Sequence, residues 1–179
     1  MTLSFQLSDL EIIDSPNAPT IAITEDDADD SLKAGDTANV TFTLSEASTD
    51  FIESDVTVSG GALSNWNAAS ATSYSATFTP TPATTTNAGI SVASSKFSDS
   101  AGNTNSDGSD ANNSVTLSVN TIRPTIAITE DDADDSLSIG DTTTVTFTLS
   151  EASRNVIQSD VTVSGGSLSN WNAASATSY

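Results

Sequence analysis

The stretch NVTFTLS, residues 39–45, alternates apolar side chains with polar ones. Val40, Phe42 and Leu44 fall on one face of an extended chain, and Asn39, Thr41, Thr43 and Ser45 on the other. A period of two is the signature of a half-buried strand, because successive Cβ atoms point to opposite sides of a pleated backbone. The same alternation runs through TIAIT (20–24), DVTVSG (55–60), YSATFTP (74–80), GISVASSKF (89–97) and SVTLSVN (114–120), with a shorter ALSNW at 62–66. No helical periodicity competes with it. These segments predict strands with one face on a core and one in water, the habit of antiparallel sheets.

The pattern repeats on a larger scale. PTIAITEDDADDSL begins at Pro19 and again at Pro124, an offset of 105 residues, and positions 19–74 match 124–179 at 47 of 56 places without a gap. One unit of that length is a normal domain size. About seven strands in roughly 100 residues predict an all-β, immunoglobulin-like antiparallel β-sandwich, repeated in tandem with the second repeat truncated. The expected division is a leader or linker over 1–18, a complete repeat over 19–123, and an incomplete one over 124–179 carrying about strands A to D. The chain then reads as a piece of a longer array. Its partial repeat is expected to be poorly ordered alone, or to pair its edges with another chain. The expected core is Ile21, Ile23, Val40, Phe42, Leu44, Val56, Val58, Leu63, Phe78, Ile90, Val92, Val115, Leu117 and Val119.

Composition narrows the chemistry. Four Lys and Arg against 24 Asp and Glu give a formal charge of −20, which opposes binding to nucleic acid or insertion into an anionic membrane and favours cations. With no Cys and no His, the chain has no disulfide, no thiolate or imidazole metal site and no cysteine nucleophile, and it lacks the commonest general base. Ser and Thr make up 58 of 179 residues. No apolar run reaches the roughly 20 residues that span a bilayer, and the first ten residues lack the basic and apolar regions of a secretion signal.

The carboxylates are unevenly spread. Glu25, Asp26, Asp27, Asp29 and Asp30 crowd one loop after the first strand, and the loop recurs with Asp131 and Asp132 in the places of Asp26 and Asp27. Like charges about 4 Å apart repel by about 1 kcal/mol in water and by more in lower dielectric, so such a loop calls for solvent or a cation. Oxygen-rich clusters suit calcium, which takes six to eight oxygen ligands. Further donors lie in the long polar loop before the last strand: Asp99, Asn103, Asn105, Asp107 and Asp110. Within it NTNSDG (103–108) has oxygen side chains at its first, third and fifth places and Gly at the sixth, as an EF-hand loop begins, but Ser114 stands where that loop ends in Glu. Alternating connections put the acids after the first strand at one end of the domain, near the junction with a neighbour, and the B–C and F–G loops at the other.

The string VTFTLSEAS (40–48), DVTVSGG (55–61), SYSATFTPT (73–81), GISVASSKFSDSAGN (89–103) and VTLSVNT (115–121) resembles the bacterial Ig-like repeats of giant type I secreted (RTX/LapA-like) biofilm adhesins. The resemblance covers residues 19–179. It implies an extender region of a secreted cell-surface adhesin, non-catalytic, stiffened by calcium, and partnered by neighbouring repeats of the same chain, with the adhesion ligand bound elsewhere. It also implies metal-ligating roles for Glu46 of SEAS, Asp99 and Asn103 of DSAGN, Asp14 ahead of the first strand, and Asp26 and Asp27 after it. The internal linker NTIRPT departs from the pattern, with Asn120 in the acid's place and Arg123 beside it.

Two other readings compete. A glycosidase needs a facing pair of carboxylates about 5 to 9 Å apart, and these acids lie in loops of a repeated unit. Carbohydrate binding would use Trp66 and its counterpart Trp171, each in LSNWNAAS, as stacking platforms; the plainer expectation is that each Trp caps the end of its core.

Overall fold

The computed structural model of the chain describes residues 17–28, 31–134 and 136–179. It falls into two compact units, one ending at Ile122 and one spanning Arg123–Tyr179.

In the first unit the alternating segments become strands: β1 (Ile21–Glu25), β2 (Ser31–Lys33), β3 (Ala38–Leu44), β4 (Val56–Ser59), β5 (Gly61–Ser70), β6 (Ser73–Pro80), β7 (Ala88–Val92) and β8 (Ser114–Asn120). Two four-stranded sheets result, in the orders β1-β3-β6-β5 and β2-β8-β7-β4. This is an immunoglobulin-like β-sandwich, with strands A, B, E and D in one sheet and C, F and G in the other. All pairings are antiparallel except β2 with β8, where Ser31, Leu32 and Lys33 run alongside Ser118, Val119 and Asn120.

That parallel pair corrects the reading of the acidic stretch as a plain A–B loop. Leu32 is the single large apolar side chain in DDADDSLKAGD, and it is almost wholly buried. The chain leaves the first sheet after Glu25, crosses to the second, and is pinned there by Leu32 before returning to β3. The strand expected over 89–97 also ends earlier, at Val92; Phe97 is nonetheless buried, carried inward by the loop that follows.

The core is the alternate face of each strand, as the period of two requires. Ten of the expected residues are buried, and Val56, Val58, Leu63 and Val115 are half-buried against them. To these the fold adds Leu32, Ala38, Phe51, Tyr74, Ala76, Ala88 and Phe97. At one end Phe51 sits among Phe42, Trp66, Tyr74 and Phe97, with ring centroids 5.1–5.9 Å apart. Gly61 begins β5 where the backbone passes directly against Phe78 and Thr79, leaving no room for a Cβ.

The second unit is smaller. Its strands are β9 (Ile126–Glu130) and β10 (Val145–Leu149), an antiparallel pair with Phe147 opposite Ile128. Beside β10 the final residues run antiparallel: Phe147 and Tyr179 exchange backbone hydrogen bonds of 2.9 and 3.1 Å, as their counterparts Phe42 and Tyr74 are paired in β3 and β6. Among its described residues the buried large apolar side chains are Phe147 and Leu149.

Candidate functional site

The topology sorts the candidate acids of the first unit to opposite ends of the sandwich. Glu25 ends β1 and Asp26 and Asp27 follow it, at the end where β3 begins. Glu46, Asp99, Asn103 and Asp107 lie at the other end, on the loops after β3 and after β7. Asp14, Asp29 and Asp30 lie outside the described residues.

At the crossing between sheets the acids organise backbone. Glu25 Oε2 accepts the Asp27 N–H at 2.6 Å, Asp27 Oδ2 accepts the Ser31 N–H at 2.7 Å, and Asp26 Oδ1 accepts the Asn39 N–H at 2.7 Å. Asp36 Oδ2 closes the next turn on the Lys33 N–H at 3.0 Å. A chain that changes sheets leaves N–H groups without ladder partners, and short carboxylate side chains supply them. Asp131 and Asp132 do the same in the second unit, taking the N–H groups of Thr144 and Ser136, each at 2.7 Å. The Thr144 N–H and the Thr143 hydroxyl hold the Asp131 carboxyl below its ordinary pKa.

The opposite end is a polar knot between the loop 45–52 and the loop 93–113. Ser48 and Asp99 form an isolated antiparallel bridge. Asp50 Oδ1 accepts from the Ser48 hydroxyl at 2.7 Å and the Ser98 N–H at 2.9 Å, while its other oxygen takes the Ser98 hydroxyl. Burial pushes the Asp50 pKa up, but the bonds from Ser98 and Ser48 outweigh it and hold the carboxyl below its usual value. Asp99 is similar: desolvation raises it, and donors from the Asn103 side chain and the N–H groups of Asn103, Ala101 and Gly102 bring the net shift downward.

Asp107 is buried and holds the first strand in place. Its Oδ2 accepts the Ile21 N–H at 2.6 Å, and its Oδ1 accepts the Asn105 amide at 3.1 Å. Asn105 is buried too, receiving the N–H groups of Lys96 and Phe97 and donating to Ala93 O. The EF-hand-like spacing of NTNSDG therefore serves a folded loop: Asn105 and Asp107 point into the protein and bind its backbone. Asn113, buried nearby, ties Val92 O to Asp107 O.

Glu46 is the exception. Its Oε2 is inaccessible to solvent and has no hydrogen-bond partner. A buried carboxylate oxygen without a donor costs free energy that either a proton or a cation would relieve. Among the described residues no group of three or more acidic side chains is gathered closely enough to hold a metal by itself, so a cation here would rely on backbone and amide oxygens as well.

The Asp50–Ser98 link and the inward-turned Asn113 are not marked by the sequence, where STD and NNS look like ordinary polar loop; Asn105, read there as an oxygen donor, accepts backbone N–H groups instead. The tryptophan takes its plainer role: Trp66 is half-buried, 5.3 Å from Phe42, 5.5 Å from Phe51 and 5.8 Å from Tyr74 between ring centroids. Trp171 packs likewise on Phe147 and Tyr179. A ring engaged with three core aromatics is not displayed as a flat sugar platform.

Residues 15–118 and 120–179 each match the family described as Bacterial Ig-like domain, and the chain belongs to that family. Such domains are typically non-catalytic structural modules, usually of extracellular or surface proteins. No curated protein and no solved structure matches the chain. Among the described residues no helix is long and apolar enough to cross a membrane.

Proposed function

We propose that the chain is a structural, non-catalytic segment of a secreted bacterial cell-surface adhesin, a stretch of extender repeats that supports cell adhesion and biofilm formation and is stiffened by calcium. The observation that carries the calcium reading is the buried, donorless Oε2 of Glu46. It lies two residues from Ser48, whose bridge to Asp99 joins its loop to the one that carries Asp99 and Asn103, themselves hydrogen-bonded to each other. Glu46, Asp99 and Asn103 are the residues that would hold the ion; bound there, it supplies positive charge that offsets desolvation of the carboxylate and joins the loops after β3 and β7. The charge balance of four basic against 24 acidic residues leaves few side chains able to do this instead. Asp26 and Asp27 act as backbone acceptors at the opposite end of the sandwich, where no described carboxylate oxygen is buried without a donor.

An ion bound only by the folded form stabilises it by mass action, by about 2.7 kcal/mol at a hundredfold excess over Kd. The expected result is a higher melting temperature of the first unit in millimolar calcium than in EDTA, with the difference abolished by Glu46→Gln. Asp26→Asn is expected to lower the melting temperature equally in both conditions. An identical melting temperature of the unaltered chain with calcium and with EDTA would sink the calcium reading.

A further inference from the structure

In the first unit four strands stand at the borders of the two sheets, each with one side unpaired among the described residues, and three of these edges are guarded. In β1 the Ile21 N–H is taken by Asp107, and the strand ends in Glu25. β2 is three residues long, begins on an N–H taken by Asp27 and ends in Lys33. β4 is four residues long and follows directly on Asp55. Unpaired N–H and C=O groups are a template for another strand, and short length, charge, proline and bulges are the usual means of blunting it.

β5 has only the last of these. It runs ten residues, GALSNWNAAS, without charge or proline, and is exposed along most of its length. Bulges at Asn65 and Trp66 and at Ala69 interrupt it but leave 61–64 straight against β6. The Thr81 N–H bonds to Gly60 O at 2.8 Å, which makes Gly61 and Pro80 a non-hydrogen-bonded pair of the antiparallel ladder. Gly61 and Leu63 therefore turn their backbone N–H and C=O groups outward, while Ala62 and Ser64 bond to β6. The side chains of Ser64 and Asn65 bond to Thr77 of β6 and so leave that edge uncapped.

Charge leaves the same side open. No charged residue lies between Asp55 and Lys96, a span that contains β4 to β7, although the chain carries −20. β4 and β5 touch, so their edges share this uncharged side of the sandwich. The second repeat differs from the first in charge at Ser138, Arg154, Asn155 and Gln158, yet its stretch GSLSNWNAAS (166–175) matches β5 except for Ser167 in place of Ala62. We propose that the β5 edge of the first unit is a self-association surface, where a second copy of the chain adds its own β5 antiparallel across a two-fold axis and joins two four-stranded sheets into one of eight.

A second copy fits on two counts. It is as acidic as the first, so it is repelled from the acid-rich ends of the sandwich and meets no charge at β5, and it brings an identical open edge, as an isologous contact requires. With Ala62 near the axis, the outward groups of Gly61 and Leu63 meet those of Leu63 and Gly61 in the other copy. Main-chain hydrogen bonds supply the affinity in strand addition of this kind. A pairing this short buries less than the roughly 1,000 Å² of a stable interface, so the dimer is weak, forming at about 0.1 to 1 mM. Nothing in it depends on calcium.

The test is sedimentation equilibrium of the full chain with EDTA throughout, in about 0.01 M and about 0.5 M NaCl. The expected result is a monomer–dimer equilibrium whose Kd is at least about tenfold lower at the higher salt, where the repulsion between acidic copies is screened and the backbone bonds remain. Ser64→Glu, which sets two further negative charges close to the axis, is expected to raise Kd at least about tenfold. Thr24→Glu, at an exposed position of β1 on the far edge of the same sheet, is expected to leave it unchanged. Hydrogen exchange over 61–64 should slow as the concentration of the unaltered chain rises, and exchange over 21–25 should not. Melting temperatures of the two variants confirm that each is folded. A chain that stays monomeric at about 1 mM in high salt overturns the proposal. A dimer that Ser64→Glu leaves intact, or one that tightens as salt is removed, overturns it equally.

Discussion

The two units hold nearly the same 56-residue stretch in two different environments, and what they keep in common is bonded within that stretch. In both, the acid that ends the first strand accepts the N–H two residues on, at 2.6 Å, and the aspartate at that position accepts a serine N–H at 2.7 Å. In both, the tyrosine hydroxyl donates to the serine carbonyl of SEAS, at 3.0 Å from Tyr74 to Ser48 and 2.8 Å from Tyr179 to Ser153. What differs is burial of the inward face and the strand β2, which has no counterpart among the described residues of the second unit. Turns and caps follow from neighbouring residues; Ile21, Ile23 and Leu32 are buried against the opposite sheet, whereas Phe147 and Leu149 are buried in the second unit as well.

The largest expected effect breaks this symmetry at its deepest point. Leu32→Ala should destabilise the first unit by about 2 to 5 kcal/mol, since it removes a buried leucine from a closed core. Leu137→Ala should change the second by less than about 0.5 kcal/mol, as for an exposed site. Urea denaturation followed through Trp66 in one chain and Trp171 in the other measures the pair, and equal losses would mean that the two units have the same core.

A smaller effect is expected at the glycine pair. A Cβ on Gly61 would meet the Phe78 ring and Thr79 O, whereas one on Gly166 meets nothing within 4 Å. Gly61→Ala should cost about 1 to 3 kcal/mol through overpacking and backbone shift, and Gly166→Ala about nothing, by the same denaturation measurement.

The smallest concerns pH. The folded-state pKa values of Asp50 and Asp99 lie below the ordinary 3.8, so their contribution is complete above that value and lost as the pH falls through the folded values. Asp50→Asn should flatten the acid limb of the stability curve below about pH 4 by at most about 1 kcal/mol, since Asp50 is exposed and solvent-screened. The second unit carries Asn155 at this position and should lack that part of the acid limb. An unchanged limb in Asp50→Asn would remove the Asp50–Ser98 bond from the account.

Much of the sandwich was legible because alternation maps directly onto strands. SVTLSVN is a strand over its full expected length, 114–120, and the faces of β1, β3 and β6 are those the period of two assigns. The crossing strand β2 was not legible, since Leu32 stands alone among polar neighbours and its burial depends on β8, about 85 residues away. The candidate site was legible only as a list of acids. Spacing could not reveal which carboxylates turn to their own backbone, as Asp26, Asp27 and Asp107 do, nor that Glu46 would keep a buried oxygen without a donor. The outcomes at Asp26 and Asp27 depend on the crossing to β2, and those at Asp107 and Glu46 on loop paths at the other domain end, where Ser48, Asp50 and Ser98 join the loops.

The comparison between units can be tested most directly by hydrogen exchange of the unaltered chain in dilute solution, read at the equivalent amides of Phe42 and Phe147. Both are paired across strands with the equivalent tyrosine, but only Phe42 lies in a closed sandwich, so its exchange should require unfolding of the whole unit, and Phe147 should exchange at least about a hundredfold faster. Equal protection at the two positions would contradict the account.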